Sequence, residues 1–167
     1  KEYEKLAEMY LEWTLNDEEF FFAPFDSKIA VHINGDARMR HTCDIGDKQP
    51  SILPDGRIYP CQQFIEEQFC IGNVFDGIDA RKMVEIRKLR NKKPTICADC
   101  DYREQCRYTC CCANYQCTGR VDEISPFQCE YERLLIDNAN RVASILYEKR
   151  SESFVKKQYK LSLYETN

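Results

Sequence analysis

Four thiols fall within fourteen residues: Cys97-Ala-Asp-Cys100-Asp-Tyr-Arg-Glu-Gln-Cys106-Arg-Tyr-Thr-Cys110. The spacing is C-x2-C-x5-C-x3-C. A C-x2-C pair turns both sulfurs onto one centre, as in zinc and iron–sulfur sites. The last thiol follows another rule. In two-cluster ferredoxins, the cysteine three residues past a tight ligand set serves the other cluster. Cys110 is therefore read as a ligand of a second centre, completed by cysteines elsewhere in the chain. The chain holds eleven cysteines, an odd number, and shows no positively charged n-region followed by an apolar h-region. A secreted disulfide framework normally has an even count and a signal peptide, so this density favours metal in a reducing compartment.

The 167 residues fit one domain, or one domain and a fragment. The formal charge of −4 gives no case for a nucleic-acid or anionic-membrane partner. No run of eighteen apolar residues predicts a spanning helix. The first residue is Lys rather than Met, and the chain is expected to be an excised or truncated piece.

Tyr3, Leu6, Ala7, Tyr10 and Trp13 recur at helical spacing and predict a helix over 1–16. Phe20, Phe21, Phe22 and Phe25 follow, broken by Pro24. These aromatics either await an upstream domain or pack on the cysteine-rich part. Lys28 to Ile33 reads as a short strand, with His32 on the side of Ala30 as a structural histidine. Residues 34–50 form a polar loop that carries Cys43. Ser51–Leu53 and Arg57–Tyr59 flank Pro54-Asp55-Gly56, a hairpin turn in which Gly supplies positive φ. Ile71 to Val74 is a further extended piece. Asp79 caps a helix over 80–90 with Met83, Ile86 and Leu89 on one side, ended at Lys92-Lys93-Pro94. A loop is expected from Cys111 to Asp122. Ser125-Pro126-Phe127-Gln128 starts a helix running to about Arg150. Its buried face is read as Phe127, Tyr131, Leu134, Leu135, Val142, Ile145 and Leu146. Cys129 lies in its first turn, where the helix dipole favours a thiolate. A shorter amphipathic piece spans about Glu152 to Leu161.

Seven cysteines and one glycine make a longer signature: Cys43, Gly56, Cys61, Cys97, Cys100, Cys106, Cys110 and Cys129, as C-x12-G-x4-C-x35-C-x2-C-x5-C-x3-C-x18-C. Over roughly residues 34–150 this resembles the SPASM domain. That domain is the C-terminal auxiliary-cluster extension of radical S-adenosylmethionine (SAM) enzymes that modify peptides and proteins. The resemblance implies two auxiliary [4Fe-4S] clusters. Cys43, Cys61 and Cys110 would hold the first; Cys97, Cys100, Cys106 and Cys129 would hold the second. Some family members supply a fourth ligand to the first cluster six residues before the position of Cys43. Here that position is Ala37. The fourth iron is then open to a substrate thiolate, or filled by His41, Cys70, Cys111, Cys112 or Cys117. Outside such a role these cysteines are small buried hydrophobes. Arg103 and Arg107, beside Cys106, would either offset cluster charge or stand as solvated surface.

The family's SAM-cleaving motif is C-x3-C-x2-C, and the nearest match, Cys106-x3-Cys110-x2-Ala113, fails. The resemblance makes residues 1–33 the end of an upstream, partial TIM-like barrel, 34–150 the auxiliary-cluster domain and 151–167 a tail helix. The expected fold class is α+β: small antiparallel hairpins and loops around two clusters, closed by C-terminal helices. In the intact enzyme, SAM yields the 5′-deoxyadenosyl radical that abstracts a substrate hydrogen. The auxiliary clusters accept the released electron or bind a peptide cysteine. The implied partners are a peptide or protein substrate and a reductant such as ferredoxin or flavodoxin, in the cytoplasm. A structural zinc module for protein interaction and a stand-alone electron-transfer protein are the rival readings.

Overall fold

The computed structural model describes residues 1–16, 18, 20–34, 43–92, 94–106 and 110–164. The chain forms two compact units. One comprises Lys1–Arg40, Asp101–Cys106 and Phe127–Asn167; the other comprises His41–Cys100 and Arg107–Pro126.

The second unit is built on a four-stranded antiparallel meander, in the order β1 (Ser51–Ile52), β2 (Arg57–Tyr59), β3 (Gly72–Asn73) and β4 (Gly77–Ile78). The turn between β1 and β2 closes as its residues predict. Gly56 takes φ +85° and its amide donates to the Leu53 carbonyl at 2.9 Å. Asp55 accepts from the Arg57 amide and from its Nε, at 3.1 and 2.7 Å. Ser51 pairs with Tyr59 and Ile52 with Ile58. β3 runs against β2 through Ile58 and Gly72, and β4 returns against Gly72 through Ile78. A side chain at Gly72 would stand 2.2 Å from the Gly77 carbonyl, so only glycine permits this second, very tight reversal.

Strands of two or three residues hold few ladder bonds, and so short a sheet needs a packed face. Ile58, Tyr59, Phe64, Phe69 and Ile71 provide that face, joined by Met83 and Ile86. Phe64 and Phe69 meet edge to face at 4.3 Å between centroids, and Tyr115 closes on Phe69 at 5.1 Å. Met83 and Ile86 come from α3 (Ala80–Asn91), with Leu89 half-buried behind them. Their three-residue spacing lines one face, and burying each is worth roughly 1.5–3 kcal/mol. The Asp79 carboxylate caps α3 by accepting from the Arg81 and Lys82 amides.

The first unit is helical: α1 (Glu2–Leu15), α2 (Ala23–Asn34) and most of α5 (Pro126–Tyr164). Ala7, Tyr10, Leu11, Phe25 and Ile29 pack on Leu135, Ala139, Val142, Leu146 and Phe154. The aromatics that follow α1 join this core. Phe20, Phe22 and Phe25 each stand within about 6 Å of the Tyr10 ring, centroid to centroid. They pack on helices rather than on cysteines, and Phe21 alone of the four is largely exposed. Asp26 is wholly buried there. Its carboxylate accepts from the Tyr10 hydroxyl at 2.7 Å and the Phe22 amide at 2.6 Å, and pairs with Lys157 Nζ at 2.9 Å. Burial, with Asp26 beside it, pushes the Tyr10 hydroxyl far above the usual tyrosine range. The long helix breaks at Arg150, with φ −143° and ψ 51°, between the two helical pieces expected there. The Arg150 guanidinium donates to the Thr14 carbonyl at the end of α1.

Three local expectations are corrected. Lys28 to Ile33 is not a strand but part of α2. The run Ile29, Val31, Ile33 mimics a two-residue period, yet Phe25 and Ile29 are buried four apart and Ile33 is half exposed. Two buried ionic groups, Asp26 and Lys28, sit in the same helix with partners on α5, so tertiary packing overrides β propensity. His32, placed on a strand face by that reading, instead meets the Gln105 side chain. Second, the expected loop after Cys110 begins as α4 (Cys111–Thr118). Third, Phe127 is 76% exposed. Tyr3 at the start of α1 meets Tyr131 edge to face, and Phe127 lies one turn before Tyr131, beyond the cover α1 gives.

Three stability outcomes follow. Asp26→Asn leaves Lys157 uncompensated against a buried hydroxyl and should cost about 3 kcal/mol, read from the urea midpoint. Lys5→Gln, which breaks only an exposed pair with Glu2, should leave that midpoint in place. Gly56→Ala must adopt the left-handed conformation and bring its Cβ to 2.9 Å from Val74 Cγ2. It should cost about 1–2 kcal/mol in the same assay.

Candidate iron–sulfur site

None of the eleven cysteines is in a disulfide. Six of them, Cys43, Cys61, Cys70, Cys110, Cys111 and Cys112, pack in or against the hydrophobic cluster of the second unit. Local structure explains how three chain segments deliver them. The Gly46 amide donates to the Pro60 carbonyl at 2.9 Å, which lays the turn after Cys43 beside the residue preceding Cys61. Cys110 is the N-cap of α4, so Cys111 and Cys112 fall in its first turn and point into the unit, 3% and 7% exposed.

The thiols meet at the start of α4. The Cys43 sulfur accepts from the thiols of Cys110 and Cys111 and from the backbone amides of Cys111 and Ile45. The Cys110 sulfur accepts from the Ala113 amide and stands 2.9 Å from the Cys112 sulfur. These donors hold the Cys43 thiol far below the ordinary cysteine range, while donation to Cys43 and burial push Cys110 and Cys111 up. The thiol and amide donors at this helix N-terminus favour a thiolate at Cys43 over one at Cys110 or Cys111.

Of the first predicted set, Cys43 and Cys110 are brought into direct contact, and Cys61 packs against the same core. Cys70 faces elsewhere, with its thiol 3.5 Å from the Gly72 carbonyl. Cys117 is exposed at the far end of α4. Ala37, His41 and Arg107 lie outside the described residues. Of the second predicted set, Cys97 and Cys100 belong to the second unit and Cys106 and Cys129 to the first. All four are partly buried. Residues 101–106 dock on α5 through the Tyr102 hydroxyl, which donates to Asp137 at 3.2 Å, and through Gln105 Oε1, which accepts from Asn140 Nδ2 at 2.9 Å. The dock sets the Cys106 sulfur 4.0 Å from the Glu132 carboxylate, which is itself in a buried ion pair with Lys28. Arg103 is exposed.

Among the described residues, no three His, Cys, Asp or Glu side chains stand in a geometry that could hold a metal ion. The sulfurs that meet are closer than metal would set them. Two thiolates on one tetrahedral centre at about 2.3 Å would lie about 3.8 Å apart, against 2.9 Å for Cys110 and Cys112. The donor chemistry nevertheless fits a soft metal or an iron–sulfur cluster. The knot around Cys43 is made of sulfur alone, and thiolate selects such centres over hard cations. Cys111 and Cys112 lie outside the seven-cysteine pattern, and sequence reasoning named them only among five candidates for the open position without separating them from His41, Cys70 and Cys117. The signal available was the run Cys110-Cys111-Cys112 itself.

No curated protein matches the chain. Among solved structures, it is similar to native anSMEcpe with bound AdoMet and Cp18Cys peptide. The TM-score is 0.62 at 20% identity, over 87% of this chain and 42% of that one. Native anSMEcpe with bound AdoMet gives a TM-score of 0.63 at 20% identity, over 85% and 40%. A histidine-tagged form of anSMEcpe with bound AdoMet gives 0.61 at 18%, over 93% and 42%. At these identities the likeness is one of fold. The chain spans about two-fifths of the length of these structures. The sequence of residues 43–101, which carries Cys43, Gly56, Cys61, Cys97 and Cys100, matches the model of the SPASM family, an iron–sulfur cluster-binding domain.

Proposed function

We propose that the chain is the auxiliary-cluster module of a radical SAM enzyme that modifies a ribosomally made peptide or protein. The family match over residues 43–101 carries this reading. The fold likeness to anSMEcpe, whose structures hold AdoMet and a peptide, supports a peptide as the partner. Cys43, Cys61 and Cys110 are the ligands of a first [4Fe-4S] cluster, and Cys97, Cys100, Cys106 and Cys129 those of a second. Residues 1–33 are the end of a SAM-binding barrel, 34–150 the cluster domain and 151–167 a tail helix. SAM cleavage belongs to the intact enzyme, because C-x3-C-x2-C does not occur in this chain.

When bound, the clusters would supply one-electron acceptors beside the substrate. The chain's own residues set the conditions. The Cys111 and Ile45 amides aim at the Cys43 sulfur and the Ala113 amide at Cys110, which stabilises negative charge on those ligands and raises a potential. Phe64, Phe69 and Tyr115 pack in the same cluster and keep water from the sulfurs. The reductant is a small acidic carrier such as ferredoxin or flavodoxin. Nucleic acid and membrane are not partners, in keeping with a net charge of −4 and no described helix long and apolar enough to cross a bilayer. The compartment is the cytoplasm, where thiols stay reduced.

The deciding measurement is iron, acid-labile sulfide and zinc per chain after anaerobic purification and reconstitution. About eight iron and eight sulfide are expected. Zinc without sulfide, persisting through reconstitution, would replace this reading with a structural zinc module. Cys100→Ala should bring iron to about four per chain and lower the thermal midpoint, since ligand binding and folding are coupled. Full iron and an unchanged midpoint in that variant would remove Cys100 from the ligand set.

A further inference from the structure

We infer that Cys112 is the fourth thiolate of the first cluster, so that this cluster is fully ligated by the chain rather than open to substrate. The inference rests on the proposed function and assigns a ligand that the seven-cysteine pattern does not contain.

Three observations carry it. The Cys112 sulfur is 2.9 Å from that of Cys110, a ligand of the proposed set. Cys112 is 7% exposed and belongs to the same buried cluster as Cys43, Cys61 and Cys110, so its sulfur is already where the other donors gather. The backbone also favours it. Cys110 caps α4 and Cys112 sits two residues on, so both thiols leave the same end of the helix, and on a four-iron cluster they would part to take separate irons. The rival donors are engaged or remote. Cys70 turns to the Gly72 carbonyl and Cys117 is exposed at the end of the helix. Cys111 also meets a proposed ligand, Cys43, but bonds its sulfur from the backbone as well as from the thiol, and the Cys111→Ser and Cys112→Ser variants separate the two. It acts as a positioning residue, its amide and thiol both bonded to the Cys43 sulfur.

The test uses the 167-residue chain, reconstituted without oxygen, as parent, Cys111→Ser, Cys112→Ser and Cys112→Asp. The readouts are iron and sulfide content and EPR, each with and without added 2-mercaptoethanol. The parent should hold about eight iron, and its spectrum should not respond to the added thiol. Cys112→Ser should drop to about seven iron with a three-iron EPR signal, or gain a cluster that responds to thiol. Cys112→Asp, which keeps an anionic donor, should restore the fourth iron. Cys111→Ser should keep the full iron content. The signal of the second cluster reports folding in each sample. If Cys112→Ser fails to fold, Cys112→Asp decides: a first-cluster EPR spectrum shifted from parent by an oxygen ligand, or a lost iron, upholds the inference, and full iron with a spectrum identical to parent overturns it. A parent that already binds thiol, a Cys112→Ser chain identical to parent, or loss confined to Cys111→Ser would each overturn it while leaving the iron–sulfur reading intact. A parent with zinc and no sulfide would overturn both.

Discussion

The core of the second unit depends on sulfur occupying places that leucine or valine would take in an ordinary small domain. Cys111 and Cys112 are as buried as Ile58 and Phe69, and Cys43, Cys61, Cys70 and Cys110 line the same cluster. A thiol packs as a small hydrophobe while protonated and becomes an anion when it binds metal. The same positions can therefore hold the sheet together by burial and, under the proposed function, serve a cofactor by charge. Strands of two and three residues suffice because this interior, rather than the ladder, fixes the loops around them.

The first unit solves a different problem with different chemistry. Its interior is built from aromatic and aliphatic side chains, but two ionic pairs are buried within it: Asp26 with Lys157 and Lys28 with Glu132. Buried pairs add little net stability over apolar packing, because desolvation offsets the attraction. What they add here is direction. Asp26 bonds α2 to Tyr10 of α1 and to the helical piece beyond Arg150, so one carboxylate sets the placement of three helical segments. Lys28 reaches Glu132, the same carboxylate that stands near Cys106, and so links the packing of α2 to the setting of that thiol.

Where local chemistry decides the structure, the sequence was legible. Pro54-Asp55-Gly56 makes its turn, Asp79 caps its helix, and the change near Arg150 divides the last helix. It was not legible where burial of polar groups or thiols decides. Nothing local tells that Lys28 and Asp26 will be inside, so α2 reads as a strand. Nothing in Cys111 to Thr118 has the apolar stripe of an amphipathic helix, because its inward residues are two cysteines and Asn114. For the site, spacing set Cys110 apart from its neighbours and the family resemblance joined it to Cys43, with which the structure brings it into contact. Cys111 and Cys112 carry no spacing signal, since a run of three cysteines says that sulfur is dense but not which sulfur faces inward.

The route of the chain has a consequence for how such a module can be cut or recombined. It enters the helical unit, leaves at about residue 41, returns for residues 101–106, leaves again, and returns at Phe127. No single scissile point separates the units. The stretch that matches the family ends at residue 101, before α4 and the triple cysteine. A fragment trimmed to that match would keep the meander and discard the helix start on which Cys43 rests its charge. Any transfer of this module intact would have to carry the whole span from the Cys43 turn through the first turns of α5.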